Sequence, residues 1–128
     1  MKVSSKSPRQ TGFTLVEIMI VVTIIGLLAG LVMPQVFKAI NTSRLNVIYS
    51  NLNQIESAKE QWAFDNRKGV GATIDNIDEL KVYLHSGALH DAVGEDYVPG
   101  DLGDPAVAQL PPGVTLGRFA AGSAISLP

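Results

Sequence analysis

The apolar positions of this chain fall into three regimes. Residues 13–37 form an almost unbroken apolar run, 25 positions with one charge, Glu17. Such a run predicts a helix apolar on every side rather than on one stripe. At 1.5 Å per residue it spans about 37 Å, enough to cross a bilayer core of roughly 30 Å. Gly26 and Gly30 have the G-x-x-x-G spacing that lets helices approach closely. Pro34 removes a backbone donor, which predicts a kink there or a loosened helix between Gly26 and Pro34.

The second regime has helical period. Leu45, Ile48, Leu52, Ile55 and Trp62 recur at spacings of three, four, three and seven, with Ala58 and Ala63 beside them. This is one stripe of an amphipathic helix continuing the first over residues 39–66. Asn51, Asn53, Glu56 and Lys59 are placed on its other faces. Asn66-Arg67-Lys68-Gly69 predicts the stop, with cations in the last turn and then a C-terminal glycine. The whole helix would have about 55 residues and a length of roughly 80 Å. The alternative is a break at Asn41-Thr42-Ser43, with Thr42 or Ser43 capping a second helix.

In the third regime, residues 69–128, short apolar runs are separated by Gly, Pro and Asp. Asp75 or Thr73 is placed to cap a short helix through Ile77, Leu80, Val82 and Leu84, with Asp78 and Glu79 in its first turn. Residues 87–112 read as loop, with a brief turn of helix near 88–93. Residues 114–119 and 124–127 are the best strands and predict a hairpin through 120–123. Two strands alone are marginal, so they should pack on the Leu45–Trp62 stripe. The predicted fold class is α+β: a long N-terminal helix with a small region of short helix, loops and a β-hairpin packed on it. The predicted organisation is 1–12 leader, 13–37 membrane and assembly segment, 38–68 continuing helix, and 69–128 small globular region.

Charge changes the reading of the first 33 residues. The leader carries Lys2, Lys6 and Arg9 and ends at Gly12. Ordinary secretory signals place their small cleavage-site residue after the apolar core, so the core is discarded. Here the convincing processing site precedes the core. Cleavage between Gly12 and Phe13 would leave a mature chain that begins with its hydrophobic segment. It would also remove three of the ten Lys and Arg and no Asp or Glu, leaving 7 against 12 and a net charge of −5. A mildly acidic chain is poorly suited to nonspecific nucleic-acid binding, and no nucleic-acid partner is expected. The leader cations favour a cytoplasmic N-terminus. Glu17 then needs a partner, because a carboxylate at membrane depth costs roughly 2.5–3.5 kcal/mol on insertion scales. The 128 residues allow one small domain plus a long element, and the lack of cysteine excludes disulfides and cysteine metal sites.

Gly12, the run Phe13-Thr14-Leu15-Val16-Glu17, the apolar stretch after it and Pro34 together resemble the class III signal of type IV pilins and type II secretion pseudopilins. The likeness is close over about residues 6–40 and looser beyond residue 45. It implies cutting after Gly12 by a prepilin peptidase, N-methylation of Phe13, and pairing of Glu17 with the N-terminal amine of a neighbouring subunit. Two costly charges would then cancel only when a second subunit docks. It further implies membrane lipid as the first environment of the helix and an inner-membrane assembly platform as a partner. The expected location is the inner membrane, single pass, with a periplasmic C-terminal region, and then a periplasmic or extracellular filament of pilin-like subunits. A pseudopilin is favoured over a type IV pilus pilin, since many pilus pilins close their C-terminal region with a disulfide. The alternative of another class is a membrane-anchored binding or enzymatic domain.

Candidate chemistry is sparse. Glu95, Asp96, Asp101 and Asp104 lie in one loop and oxygen-rich loops bind calcium; some major secretion pseudopilins do so in a C-terminal loop. The competing reading is a solvated acidic loop. Apart from calcium as this candidate, no cofactor is expected. His85, His90 and Asp91 lack the spacing for one helix face and a convincing further ligand. No nucleophile motif or phosphate-binding glycine loop is present, and Gly69-Val70-Gly71 is too short to count. The expectation is a structural protein, not an enzyme.

Overall fold

The computed structural model describes residues 11–85 and 87–128. The leader cations Lys2, Lys6 and Arg9 lie outside the described residues. The chain divides into two compact units, one ending at Val36 and one covering Phe37–Pro128. One helix, α1 (Leu15–Asn66), runs without interruption, through Pro34 and through Asn41-Thr42-Ser43. The break considered at Asn41 does not occur. Thr42 folds its hydroxyl back onto the Lys38 carbonyl at 3.0 Å, a local bond compatible with a continuing helix.

In the first unit every side chain from residue 13 to 36 is exposed. By length and composition α1 can cross a membrane, and none of its most apolar stretch is buried within the chain. The weak amphipathicity of the whole helix follows from this all-round apolar half.

The second unit is organised by the predicted stripe. Ile48, Leu52, Ile55 and Ala58 are fully buried, and Trp62 and Ala63 nearly so. Against them pack Leu80 from a 3-10 helix, η1 (Ile77–Tyr83), Leu84 at its C-terminal cap, and Ala108, Leu110, Leu116 and Ile125 from the C-terminal region. The cap of η1 is Asn76, not Asp75 or Thr73: its side-chain oxygen accepts the Asp78 amide at 3.1 Å. The element stays 3-10, with the Glu79 amide bonding the Asn76 carbonyl at 3.1 Å. No helical turn forms at the described residues of 88–93.

The sheet differs from the expected hairpin. It has three antiparallel strands, β1 (Asp96–Val98), β2 (Val107–Gln109) and β3 (Ala124–Ser126), in the order β1-β2-β3. β3 lies where it was expected. Residues 114–119 are not a strand: Leu116 and Phe119 exchange both backbone bonds at 3.0 Å around a two-residue turn. Gly117 has φ +59°, a left-handed position that folds the segment back on itself. β3 therefore pairs with β2, which lies in the stretch read as loop. Tyr97, Ala108 and Ile125 are aligned across the sheet on its inner face, Ala108 and Ile125 fully buried.

The end of α1 also differs. Arg67, not Gly69, takes the left-handed position, at φ 53°. The Lys68 amide reaches the Ala63 carbonyl at 2.9 Å and the Arg67 amide the Phe64 carbonyl at 3.3 Å. These are the paired bonds of a Schellman cap. No cation lies in the last turn.

Candidate functional site

The N-terminal segment begins with a cap that the sequence reading missed. Thr14 Oγ1 accepts the Glu17 amide at 3.3 Å, and the Thr14 carbonyl accepts the Ile18 amide at 3.3 Å. Thr14 is thus the N-cap and Glu17 the third helical residue, the T-x-x-E arrangement of a capping box. The carboxylate also sits in the first turn, where the helix dipole favours negative charge. Glu17 has a local reason to be acidic in addition to any partner outside the chain. It is exposed, as is Phe13.

Among the described residues, nothing requires Gly12, Gly26 or Gly30 to be glycine. None has positive φ, and a Cβ added at any of them meets nothing within 4 Å. Pro34 likewise lies in an exposed stretch of α1. These positions are unexplained by packing among the described residues, and Glu17, though placed in the first turn of the helix, has no charged partner there.

In the second unit, Asn53 is exposed as expected, but Asn51, Glu56 and Lys59 are turned inward. Asn51 and Lys59 are buried, at 5% and 1% exposure, and Glu56 is only partly exposed. Asn51 donates to the His90 carbonyl and to the Tyr97 hydroxyl, both at 2.8 Å. Tyr97 in turn donates to Glu95 Oε1 at 2.6 Å. Glu95 also accepts the Ala92 and Val93 amides at 3.0 and 2.8 Å. Burial works against its ionised form, but the Tyr97 hydroxyl and these amides outweigh that and hold its pKa below the usual carboxylate value. Burial and the neighbouring Glu95 push the Tyr97 phenol well above its usual value.

Lys59 makes the other buried contact. Its ammonium donates to the carbonyls of Pro99, at 2.9 Å, and Asp104. It also pairs with Glu56 at 3.3 Å, and Glu56 accepts the Ala106 amide. Three helix residues, Asn51, Glu56 and Lys59, thereby fasten the backbone of 90–106 onto α1. The signal was present in the sequence, since all three lie within a turn of stripe residues, and long or amide side chains can bury their stems.

The calcium candidates are dispersed. Glu95 is occupied as described, Asp96 is exposed at the start of β1, Asp101 is half-buried, and Asp104 is exposed. Among the described residues no three His, Cys, Asp or Glu side chains converge as metal ligands. His85 and His90 are both exposed.

An apolar segment headed by Gly12, Phe13 and Glu17 is followed by a small α+β head built on the same helix. The family described as Prokaryotic N-terminal methylation motif matches residues 7–33. The type II secretion system core protein G of Pseudomonas aeruginosa is 41% identical over 58 residues, covering 45% of this chain and 41% of that protein. The type IV major fimbrial protein FimA of Dichelobacter nodosus is 39% identical over 72 residues, covering 53% and 46%. The type IV major pilin protein PilA of Myxococcus xanthus is 40% identical over 62 residues, covering 48% and 28%. The chain spans less than half the length of these relatives. No solved structure matches it. The motif and these relatives make the N-terminal part of the chain similar to that of pilins and type II secretion core proteins.

Proposed function

We propose that this chain is a structural subunit of a pilin-like filament, cut after Gly12 by a prepilin peptidase, N-methylated on Phe13, and assembled by packing of its N-terminal helix. The observation that carries this reading is the exposed apolar segment 13–36, which holds one carboxylate, Glu17, and two glycines that the chain's own packing does not require. Such a surface is stable in lipid or against other copies, and small residues let helices meet closely. Glu17 would pair with the amine of Phe13 on another copy. A type II secretion pseudopilin is the favoured member; the similarity to FimA and PilA supports the pilus pilin as the second reading. On either reading the N-terminus starts on the cytoplasmic side and the head outside the inner membrane.

Two measurements test this. Intact-mass analysis of membrane-extracted protein should give a chain that begins at Phe13 and carries one additional methyl group. A chain still bearing residues 1–12 would overturn the processing step and favour a plain anchor. Glu17→Ala should leave membrane insertion intact and abolish filaments in sheared or pulled-down fractions. Normal filament yield would remove Glu17 from assembly.

A further inference from the structure

The resemblance brings a calcium ion into question, and the loop residues do not fit one: Glu95, Asp96, Asp101 and Asp104 do not converge. A positive charge is nevertheless already present at this loop. The Lys59 ammonium is bonded to two backbone carbonyls, Pro99 and Asp104, and lies against the Glu56 carboxylate. Carbonyl and carboxylate oxygens are the donor set that a hard cation takes. Here they surround a side chain that is 1% exposed and tethered to the rigid helix.

The strap from Pro99 to Ala106 is shaped around that charge. Gly100 has φ +67°, and a Cβ added there would lie 3.3 Å from the Pro105 carbonyl. Ala106 closes the far end by donating its amide to Glu56. Within the strap, Leu102 exchanges backbone bonds with Gly71, at 2.6 Å, and Ala72, at 2.9 Å. Fixing one cation thus holds β1, β2 and the segment after α1 together.

We propose that the Lys59 ammonium is the built-in cation of this head: it closes the 99–106 strap in the place a divalent ion would otherwise take, so the head folds without calcium. The proposal concerns the head alone and stands or falls independently of the filament reading.

The test uses the full chain in detergent micelles, followed by Trp62 fluorescence on heating and by hydrogen exchange at the Ala106 amide. In excess chelator and in millimolar calcium, the melting temperature and the Ala106 protection should be the same. A calcium-dependent rise in either would overturn the proposal. Lys59→Met keeps the apolar stem and removes the charge. Breaking a buried ion pair by removing one partner is strongly destabilising, so the melting temperature should fall by roughly 10 °C or more, with faster exchange at Ala106. Wild-type melting and protection in Lys59→Met would show that the stem alone suffices and would overturn it. If Lys59→Met does not fold, the chelator comparison on the unsubstituted chain remains decisive against the proposal should calcium matter.

Discussion

At the residue scale, the side chains with unexpected roles are those that break a simple assignment. Arg67 occupies a left-handed backbone position that glycine takes without penalty. Arg67→Gly should therefore stabilise the head by about 0.5–1 kcal/mol, read as an upward shift in thermal melting. Gly69, two residues later, led the sequence reading to place the stop there. The glycine preference at this position favours 69, yet the left-handed residue is Arg67, two positions earlier. Glu95 carries a pH prediction. Its pKa in the folded head is lowered, so its ionised form contributes stability above the ordinary value near 4.5, and that contribution is lost as pH falls through the lowered value. Melting temperature should hold from neutral pH down to that range and then drop. Glu95→Gln should cost about 1.5–3 kcal/mol at neutral pH and weaken the acid-side drop.

At the element scale, period decided what was legible. α1 was readable almost to its ends, because the apolar run and the Leu45–Trp62 stripe are long signals of definite period. The strands β1 and β2 were not, because three residues carry no period and their ladder depends on partners elsewhere in the chain. The reverse error occurred at 114–119. Its alternation suggested a strand, but Gly117 turned it into a tight loop whose Arg118 guanidinium lies 5.0 Å from the Phe119 ring centre. Polar positions on α1 failed for a different reason. Asn51, Glu56 and Lys59 were placed by side-chain type, whereas their stems flank the buried stripe and their heads meet backbone groups of the loop. The T-x-x-E sequence at Thr14 is itself legible as a helix start, independent of any assembly role of Glu17. Thr14→Ala should loosen the first turn of α1 by about 1 kcal/mol, visible as faster amide exchange at Glu17 and Ile18 in micelles.

At the scale of the whole molecule, the two units are stabilised by opposite means. The head pairs the polar heads of Asn51, Glu95, Tyr97, Glu56 and Lys59 internally. The segment before it buries none of its apolar side chains within the described chain. Exposed to water, its valine, leucine, isoleucine, methionine and phenylalanine side chains would each forgo about 1.5–3 kcal/mol of burial, more in total than a small head can supply. The function proposed here was therefore legible from the N-terminal third alone, while the head's internal bonding became visible only in three dimensions.

A coat that is apolar on every side has a further consequence. It adheres to lipid or to another helix equally well in any rotation and at any height, so adhesion alone carries no address. What distinguishes one docking position from the next is the handful of exceptions along it: the carboxylate of Glu17, the hydroxyl of Thr23, the missing side chains at Gly26 and Gly30, and the ring of Pro34. Thr23 donates its hydroxyl proton to the Met19 carbonyl at 2.7 Å, so only the accepting side of that oxygen faces a neighbour. In the assembly proposed above, the grease would set how strongly copies hold, and Glu17 with the two glycines would set where along the axis they stop.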